Sequence, residues 1–283
     1  MPDVKTKLFL LAVLTCSAAI VANAQRVAVI IPQKSDQIEE FSESVVAALS
    51  ENFRVLDGSM SEAAFRSVTI ENPFNLSTDE GRRISTVIGC DHLVLMRSAV
   101  QRREVLSRPA YFEAYAAVFV IEGRTGQMID FILESREAPT SADARSMLAV
   151  ASAKVSGLAS NAIRKKRLPI VRDPGFAEVP APGSPLAKGL RTPVPYRRIR
   201  PDYTDAASLY SIRATVDIEV DIDSEGNIAR TSIERWAGFG LEESVEKAVR
   251  TMNWRPAERG GKPLPMRVLL RYNFTKIEKD EAY

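Results

Sequence analysis

The stretch Val216-Asp-Ile-Glu-Val-Asp-Ile-Asp-Ser-Glu-Gly-Asn227 contains one strand and the turn that ends it. Apolar residues occupy every second position as far as Ile222, and acidic residues stand between them. A period of two places the apolar residues on one face of the strand, so we expect the acidic face to meet water. Gly226 and Asn227 supply the positive φ angles that a tight hairpin needs. The stretch therefore predicts the first strand of an antiparallel hairpin over a core.

Three further elements complete a small domain. A second strand, Ile228 to Trp236, is expected to pair antiparallel and to contain a bulge, because its apolar positions are out of phase. From Leu241 to Met252 apolar residues recur every three or four positions, which predicts a helix with one apolar stripe. The last strand, Met266 to Phe274, alternates again. Strands covered on one face by an amphipathic helix make a two-layer α+β domain with a mainly antiparallel sheet.

Several spaced motifs in this region resemble the carboxy-terminal domain of the TonB family. The resemblance covers residues 195–275 and implies the fold of that domain. The motifs are Pro201-x-Tyr203, the strand ending in Asp-Ser-Glu-Gly226, the helix, Trp254-Arg-Pro256-Ala257, Gly261-Lys262-Pro263 and the closing Phe274.

The resemblance implies that an edge of the sheet binds a partner, since an extended peptide can add to the outward N–H and C=O groups of an edge strand. In TonB domains the closing strand binds the TonB-box segment of outer-membrane transporters, and a Gln-Pro-x-Tyr-Pro motif lies near the contact. Here Pro201 and Tyr203 match that motif, whereas Arg200 and Thr204 depart from it. The candidate partner-binding residues are Arg200, Pro201, Tyr203, Arg267, Leu269, Arg271 and Asn273.

Two interpretations stay open for part of this set. Tyr203 either contacts a partner or attaches the preceding chain to the core, and Arg267 and Arg271 either dock an acidic peptide or protect the edge from aggregation. Trp254, Tyr272 and Phe274 are assigned to the core. Two classes of function also stay open. The first is an envelope binding protein, with a possible part in energy-dependent transport. The second is an assembly protein whose sheet edge pairs with that of a second copy to form a homodimer.

The first 24 residues predict export. Two lysines precede an apolar run, and Ala22-Asn23-Ala24 fits the small-x-small rule of signal peptidase, giving a mature start at Gln25 and a periplasmic location. The alternative is an uncleaved inner-membrane anchor, because Leu8 to Ala24 is apolar for 17 residues, close to the lower limit for crossing a bilayer. Lipidation of Cys16 ranks third, since a threonine stands before it.

Residues 25–165 predict a separate α/β sandwich domain. Its first strand, Arg26 to Pro32, is a continuous apolar run, as expected of a strand buried on both faces. The region resembles, less specifically, the amino-terminal domains of TolB-like and CsgG-like envelope proteins, through Val27-Ala-Val-Ile30 and Gly89-Cys-Asp-His-Leu-Val94. The remaining elements are expected as a helix at 36–50, a short strand at 53–56, helices starting at 61 and 77, strands at 93–96, 111–122 and 127–134, and one helix at 141–164.

Residues 166–201 predict a linker. Eight prolines favour an extended, poorly packing backbone, and Lys and Arg outnumber the acidic residues. It is interpreted as a solubilising spacer, or as a weak contact with anionic lipid or cell wall. TonB energy transducers have a longer spacer on an inner-membrane helix, whereas this one follows a folded domain. The TonB-like domain then spans residues 202–276, and 277–283 form a charged tail.

Nothing in the sequence indicates catalysis, a cofactor or a metal. The net charge of +2 does not indicate nucleic acid as a partner. The only histidine, His92, follows Asp91, but no nucleophile or metal-ligand spacing accompanies the pair, and we expect a structural role. The acidic residues around Asp223 lack the twelfth-position acid of a calcium loop. Cys90 is the one cysteine after Gln25 and is expected to be buried and structural. We therefore expect a binding protein and not an enzyme.

Overall fold

The computed structural model describes residues 25–33, 39–105, 108–167 and 171–276. The predicted signal segment, 1–24, and the charged tail, 277–283, lie outside the described residues. In the described part the chain is an α+β protein with mainly antiparallel sheets, as expected. None of the helices described is both long and apolar enough to cross a membrane.

The first domain is built on a five-stranded sheet with the order β2-β1-β3-β4-β5. β1 runs parallel to its neighbours, and the other pairs are antiparallel. The strands are β1 (Arg26–Ile30), β2 (Arg54–Val55), β3 (His92–Val105), β4 (Arg108–Glu122) and β5 (Met128–Ala138). The helices are α1 (Glu39–Ser50), α2 (Gly58–Ser67), α3 (Thr78–Ile88), α4 (Ser141–Val150) and α5 (Ser152–Arg164).

Both faces of this sheet are buried, which confirms the interpretation of its apolar strands. Helices α1, α4 and α5 cover one face, where Val27, Val94 and Val118 contribute to a continuous core. Alternate residues, among them Ala28 and Phe119, point into a second core on the opposite face.

The start predicted for α3 is confirmed, whereas the lengths predicted for β3 and for the helix at 141–164 are wrong. Ser77 caps α3 in a reciprocal pair with Glu80, and Gly89 ends it in the left-handed conformation. β3 continues to Val105 where four residues were expected, because β4 pairs with it over nearly its whole length. The single helix expected at 141–164 is interrupted at Ala151, whose amide turns back to the Leu148 carbonyl. No glycine or proline marks that break.

The second domain contains a four-stranded sheet with the order β10-β9-β14-β6. The two bulges in β10 confirm the irregular strand that its apolar phase predicts. The carboxylate of Asp223 accepts the backbone N–H of Glu225 and of Asn227, which confirms the predicted hairpin turn. The elements are β6 (Ala177–Glu178), α6 (Asp205–Leu209), β9 (Ala214–Ile222), β10 (Ile228–Arg235), α7 (Leu241–Arg250) and β14 (Met266–Phe274).

The proline-rich linker packs on this domain through three short strands, so the expectation of a poorly packing spacer is wrong for these parts of it. β6 pairs with β14, β7 (Leu190–Arg191) with β12 (Ala257–Arg259), and β8 (Val194–Pro195) with β11 (Trp254–Arg255). β13 (Lys262–Leu264) completes the β12 hairpin. Each of these linker strands is two residues long; β6 and β7 fit between prolines, and β8 includes Pro195. The domain boundaries stay a prediction.

The two domains share a core, which the sequence did not predict. The Trp236 amide donates to the Leu76 carbonyl at 3.1 Å, and its indole N–H donates to the Gly126 carbonyl at 3.2 Å. The Phe239 ring lies 4.8 Å from that of Phe131 on β5. The loop from Trp236 to Phe239 therefore inserts into the face of the first sheet that the helices α1, α4 and α5 leave open.

Glu242 holds that loop in place from the start of α7. Its carboxylate accepts the backbone N–H groups of Ala237 and, at 2.8 Å, of Gly238. The side chain is buried, and burial raises its pKa to about 7, although the two donors oppose the shift.

Glu242→Gln is expected to change how stability depends on pH. The folded-state pKa lies above the ordinary 4.5, so the stabilisation from protonation is complete below pH 4.5 and is lost as the pH rises to about 7. The difference in unfolding free energy between wild type and the variant should therefore change by about 3 kcal/mol between pH 4 and pH 8. Urea unfolding at both pH values measures it. The control is the exposed neighbour: the unfolding free energy of Glu243→Gln should differ from that of wild type by the same amount at both pH values. A pH-independent difference between Glu242→Gln and wild type would contradict the buried, protonated state of Glu242.

Candidate partner-binding edge

Strand β14 has one covered side and one largely open side. β9 pairs with it along its full length, from Met266 opposite Ile222 to Phe274 opposite Ala214. On the other side β6 pairs only with Met266 and Arg267. Within the described ranges, no strand covers the outer side of β14 between Val268 and Phe274.

Two hydrogen bonds show which backbone groups point outward. The Arg267 carbonyl accepts from the Val179 amide at 3.2 Å, and the Arg271 carbonyl accepts from the Arg198 guanidinium at 2.8 Å. Alternate residues of a strand direct their backbone groups to the same side, so those of Leu269 also face outward. The Leu269 side chain is 57% exposed. This edge is therefore a place where an added strand can form main-chain hydrogen bonds.

A cleft of about 410 Å³ lies at the far end of the same edge. Residues 200–203 form one wall, and residues 272–275 form the other. The structure thus brings Arg200, Pro201 and Tyr203 beside Asn273, and it places Leu269 and Arg271 farther along the strand. Their role in partner binding stays a prediction.

The position of Tyr203 supports the interpretation that it attaches the preceding chain to the core. Its hydroxyl lies 2.8 Å from the Ile212 carbonyl oxygen and 2.9 Å from that of Ala207, and burial raises its pKa. Its ring stacks on Phe274 with centroids 6.4 Å apart. Tyr203 therefore attaches the end of the linker to the core, while its remaining exposed surface lines the cleft.

The acidic face of β9 does not meet water, contrary to expectation. Asp217, Glu219 and Asp221 are 5%, 8% and 1% exposed. Arginines of β10, β14 and the linker lie over this face, and Arg172 binds Glu219 at 2.6 Å. Burial favours the neutral form of Asp221, but two guanidinium groups hold its pKa below the ordinary value. The alternation correctly placed these residues on one face, but Arg172, which covers Glu219, lies 47 residues earlier in the chain.

Arg267 is neither an exposed docking residue nor an edge-protecting charge, so both interpretations of it are wrong. It is 6% exposed and binds Asp221 through two hydrogen bonds, of 2.6 and 3.0 Å. The cause is the cross-strand register, which sets the two residues opposite each other beneath the linker. Arg271 binds Asp217 in the same way, but its side chain is 60% exposed and remains accessible.

The other titratable residues singled out in the sequence have structural partners. Asp91 binds the guanidinium of Arg26 at 2.9 Å, which takes it away from a pairing with His92. Burial lowers the pKa of His92 and raises that of Cys90 to about 11, so the thiol is protonated at neutral pH. The described ranges contain no group of three or more His, Cys, Asp or Glu residues that could hold a metal ion.

The sequence did not predict two parts of this edge, β6 and Arg198. A proline-free stretch, Gly175–Val179, was the available signal for a strand, but nothing in it specifies β14 as its neighbour. Arg198 stood in a run of basic residues without a distinguishing feature. Its guanidinium also lies 5.0 Å from the centre of the Tyr272 ring.

Comparison with known proteins identifies the second domain. Residues 199–275 match the family model described as the C-terminal of the Gram-negative bacterial TonB protein. The solution structure of the Pseudomonas aeruginosa TonB C-terminal domain matches at 24% identity over 32% of this chain and 90% of that one, with a TM-score of 0.27. No match was found among curated proteins.

Two further structures are also similar. The Neisseria meningitidis lipoprotein GNA1162 matches at 14% identity over 48% of this chain and 99% of that one, with a TM-score of 0.34. The LpoB C-terminal domain from Salmonella enterica matches at 10% identity over 42% and 90%, with a TM-score of 0.28. The TolB-like and CsgG-like resemblance of the first domain stays a prediction. The family match indicates an envelope protein with a TonB-like domain.

Proposed function

Because residues 199–275 carry a TonB C-terminal domain, we propose that this chain is a periplasmic binding protein that takes up an extended segment of an envelope partner along β14. The observation that carries the proposal is the open outer side of β14, where the backbone of Leu269 faces outward next to an exposed apolar side chain. Strand addition satisfies such groups and buries such a side chain.

The proposed partner is an outer-membrane transporter of the TonB-dependent class. Its segment would start beside Leu269 and reach the cleft between residues 200–203 and 272–275. The Arg198 guanidinium already donates a hydrogen bond to the Arg271 carbonyl, so an incoming strand must displace that guanidinium or end before Arg271. Arg271 and Arg200 favour a segment that carries acidic residues. A part in energy-dependent transport requires in addition an anchor in the inner membrane.

The proposed activity is binding, without catalysis and without a cofactor. The titratable residues that the sequence singled out are engaged in ion pairs or lie buried. The location rests on the family match and on the predicted signal segment, which lies outside the described residues.

Leu269→Pro is expected to weaken binding of a transporter-box peptide roughly tenfold or more. The Leu269 amide faces outward, so proline removes a donor to the incoming strand and places its ring in the path of that strand, while the amides that pair with β9 remain. Fluorescence anisotropy with labelled peptides from the host's own transporters measures the affinity, and circular dichroism checks the fold.

Leu269→Thr is the matched control, because it keeps the N–H and the β-strand preference while removing the apolar side chain. It should bind more tightly than the proline variant. Equal affinity of the two variants and wild type, or no binding of any such peptide, would contradict strand addition by a transporter. A wild-type dimer in light scattering that Leu269→Pro dissociates would instead assign the edge to self-assembly.

A further inference from the structure

One end of the first sheet collects basic side chains that have no carboxylate partner in the described part of the chain. Two contacts bring α5 to the start of β2: the Arg164 guanidinium donates to the Asn52 side chain at 2.5 Å and lies 5.5 Å from the centre of the Phe53 ring. β2 begins at Arg54, opposite the start of β1. The unpaired basic residues, here called the basic end, are Arg54, Arg164, Lys165, Lys166 and Arg167.

The basic end is fixed in place. The Arg167 guanidinium donates to the carbonyls of Ala162 and Ile129, at 2.8 and 2.9 Å, which holds the chain after α5 across the start of β5. These bonds leave the charge on the surface, because carbonyl acceptors do not neutralise it. Lys165 and Lys166 are both exposed.

The same end contains the point at which the chain enters the fold. Gln25, His92, Lys165 and Lys166 line one cleft of about 240 Å³. The Nδ1 atom of His92 is buried there without a hydrogen-bond partner in the structure.

The acids nearby offset only part of the charge of the basic end: Glu51, beside Asn52, is one carboxylate against five basic groups, and the two others, Asp91 and the cleft residue Glu122, have arginine partners. Asp91 is bound by Arg26, and Glu122 lies 3.7 Å from the guanidinium of Arg124. Each of these carboxylates therefore has an arginine of its own, outside the basic end.

We propose that the basic end docks on a membrane surface that carries anionic phospholipid headgroups. In the alternative of an uncleaved anchor, the apolar run Leu8 to Ala24 directly before Gln25 would also bring this end to the bilayer, but the charge of the basic end does not depend on it. Lysine and arginine beside an anionic bilayer each contribute to its binding, and the attraction falls off within a Debye length. This surface is the end of the first domain and is independent of the β14 edge.

The double variant Lys165→Gln/Lys166→Gln is expected to bind phosphatidylglycerol-containing vesicles roughly 30-fold more weakly than wild type, from about 1 kcal/mol for each charge. The matched control, Lys188→Gln/Lys262→Gln, removes the same charge from exposed positions of the linker and the second domain and should bind like wild type. Co-sedimentation at low and high salt measures binding, and wild type should release at high salt.

If a retained apolar segment holds every variant on the vesicles, co-sedimentation cannot separate the variants. Lysine acylation, measured by mass spectrometry, then shows which lysines contact the membrane. On vesicles with phosphatidylglycerol, Lys165 and Lys166 should be protected relative to vesicles of phosphatidylcholine alone, and Lys188 and Lys262 should not. Equal labelling on both vesicle types, equal loss in the two double variants, or tighter binding to a soluble polyanion than to the vesicles would overturn membrane docking.

Discussion

Replacing Trp236 with alanine is expected to lower the free energy of unfolding by about 4 kcal/mol and to separate one unfolding transition into two. The indole is 1% exposed, lies 5.6 Å from the Phe119 ring, and donates to the Gly126 carbonyl. Alanine leaves a cavity at the centre of the shared core and an acceptor without its donor. Because both losses fall on the junction, each domain should then unfold with its own midpoint.

Trp254→Ala is the matched control for the junction. Trp254 is equally enclosed, at 4% exposed, but it lies on β11 against the linker strand β8. Its removal should destabilise the second domain without separating it from the first. Calorimetry measures the transitions, and in Trp236→Ala the remaining tryptophan reports the second domain by fluorescence. A single transition in Trp236→Ala with little loss of stability would contradict the shared core.

Local rules predicted much of the second domain. The hairpin after β9, the bulges of β10 and the helix α7 follow from alternation, from Gly226 and from apolar spacing within about ten residues. The insertion of the loop around Gly238 could not be predicted in this way. Positive φ angles at Gly238, Phe239 and Gly240 turn the Phe239 ring toward the first sheet, and its target, Phe131, lies more than 100 residues earlier.

The candidate site shows the same division between local pattern and long-range packing. The family resemblance named two segments, near Tyr203 and near Asn273, and the structure places both at one cleft. Whether a charged residue of β14 is exposed depends on which segment lies over it. The linker covers Arg267 through the Asp173 carbonyl, whereas Arg271 extends beyond that cover. A period of two gives the same prediction for both residues.

Arg267→Ala is expected to lower the free energy of unfolding by about 3–5 kcal/mol, because it leaves a buried carboxylate without its main partner. Asp221 is 1% exposed, and Arg267 supplies two of its hydrogen bonds. The matched control is Arg271→Ala, four residues along the same face of the same strand. Its guanidinium binds the buried Asp217 with similar geometry but is itself 60% exposed, so water can reach the carboxylate that it leaves and the loss should be smaller, about 1–2 kcal/mol. Urea unfolding measures both.

A second variant separates a buried ion pair from a docking contact. In Arg267→Met/Asp221→Leu both charges are removed, Arg230 can turn to Glu219, 3.5 Å away, and apolar side chains fill much of the space. Replacing both members of a buried pair is often near neutral, so this double variant should regain most of the stability that Arg267→Ala loses. It should also retain peptide binding at the edge, since Leu269 and the cleft are unchanged. If Arg267→Ala instead kept wild-type stability and lost only peptide binding, the side chain would be a partner contact, because a buried structural pair cannot be broken without cost to the fold.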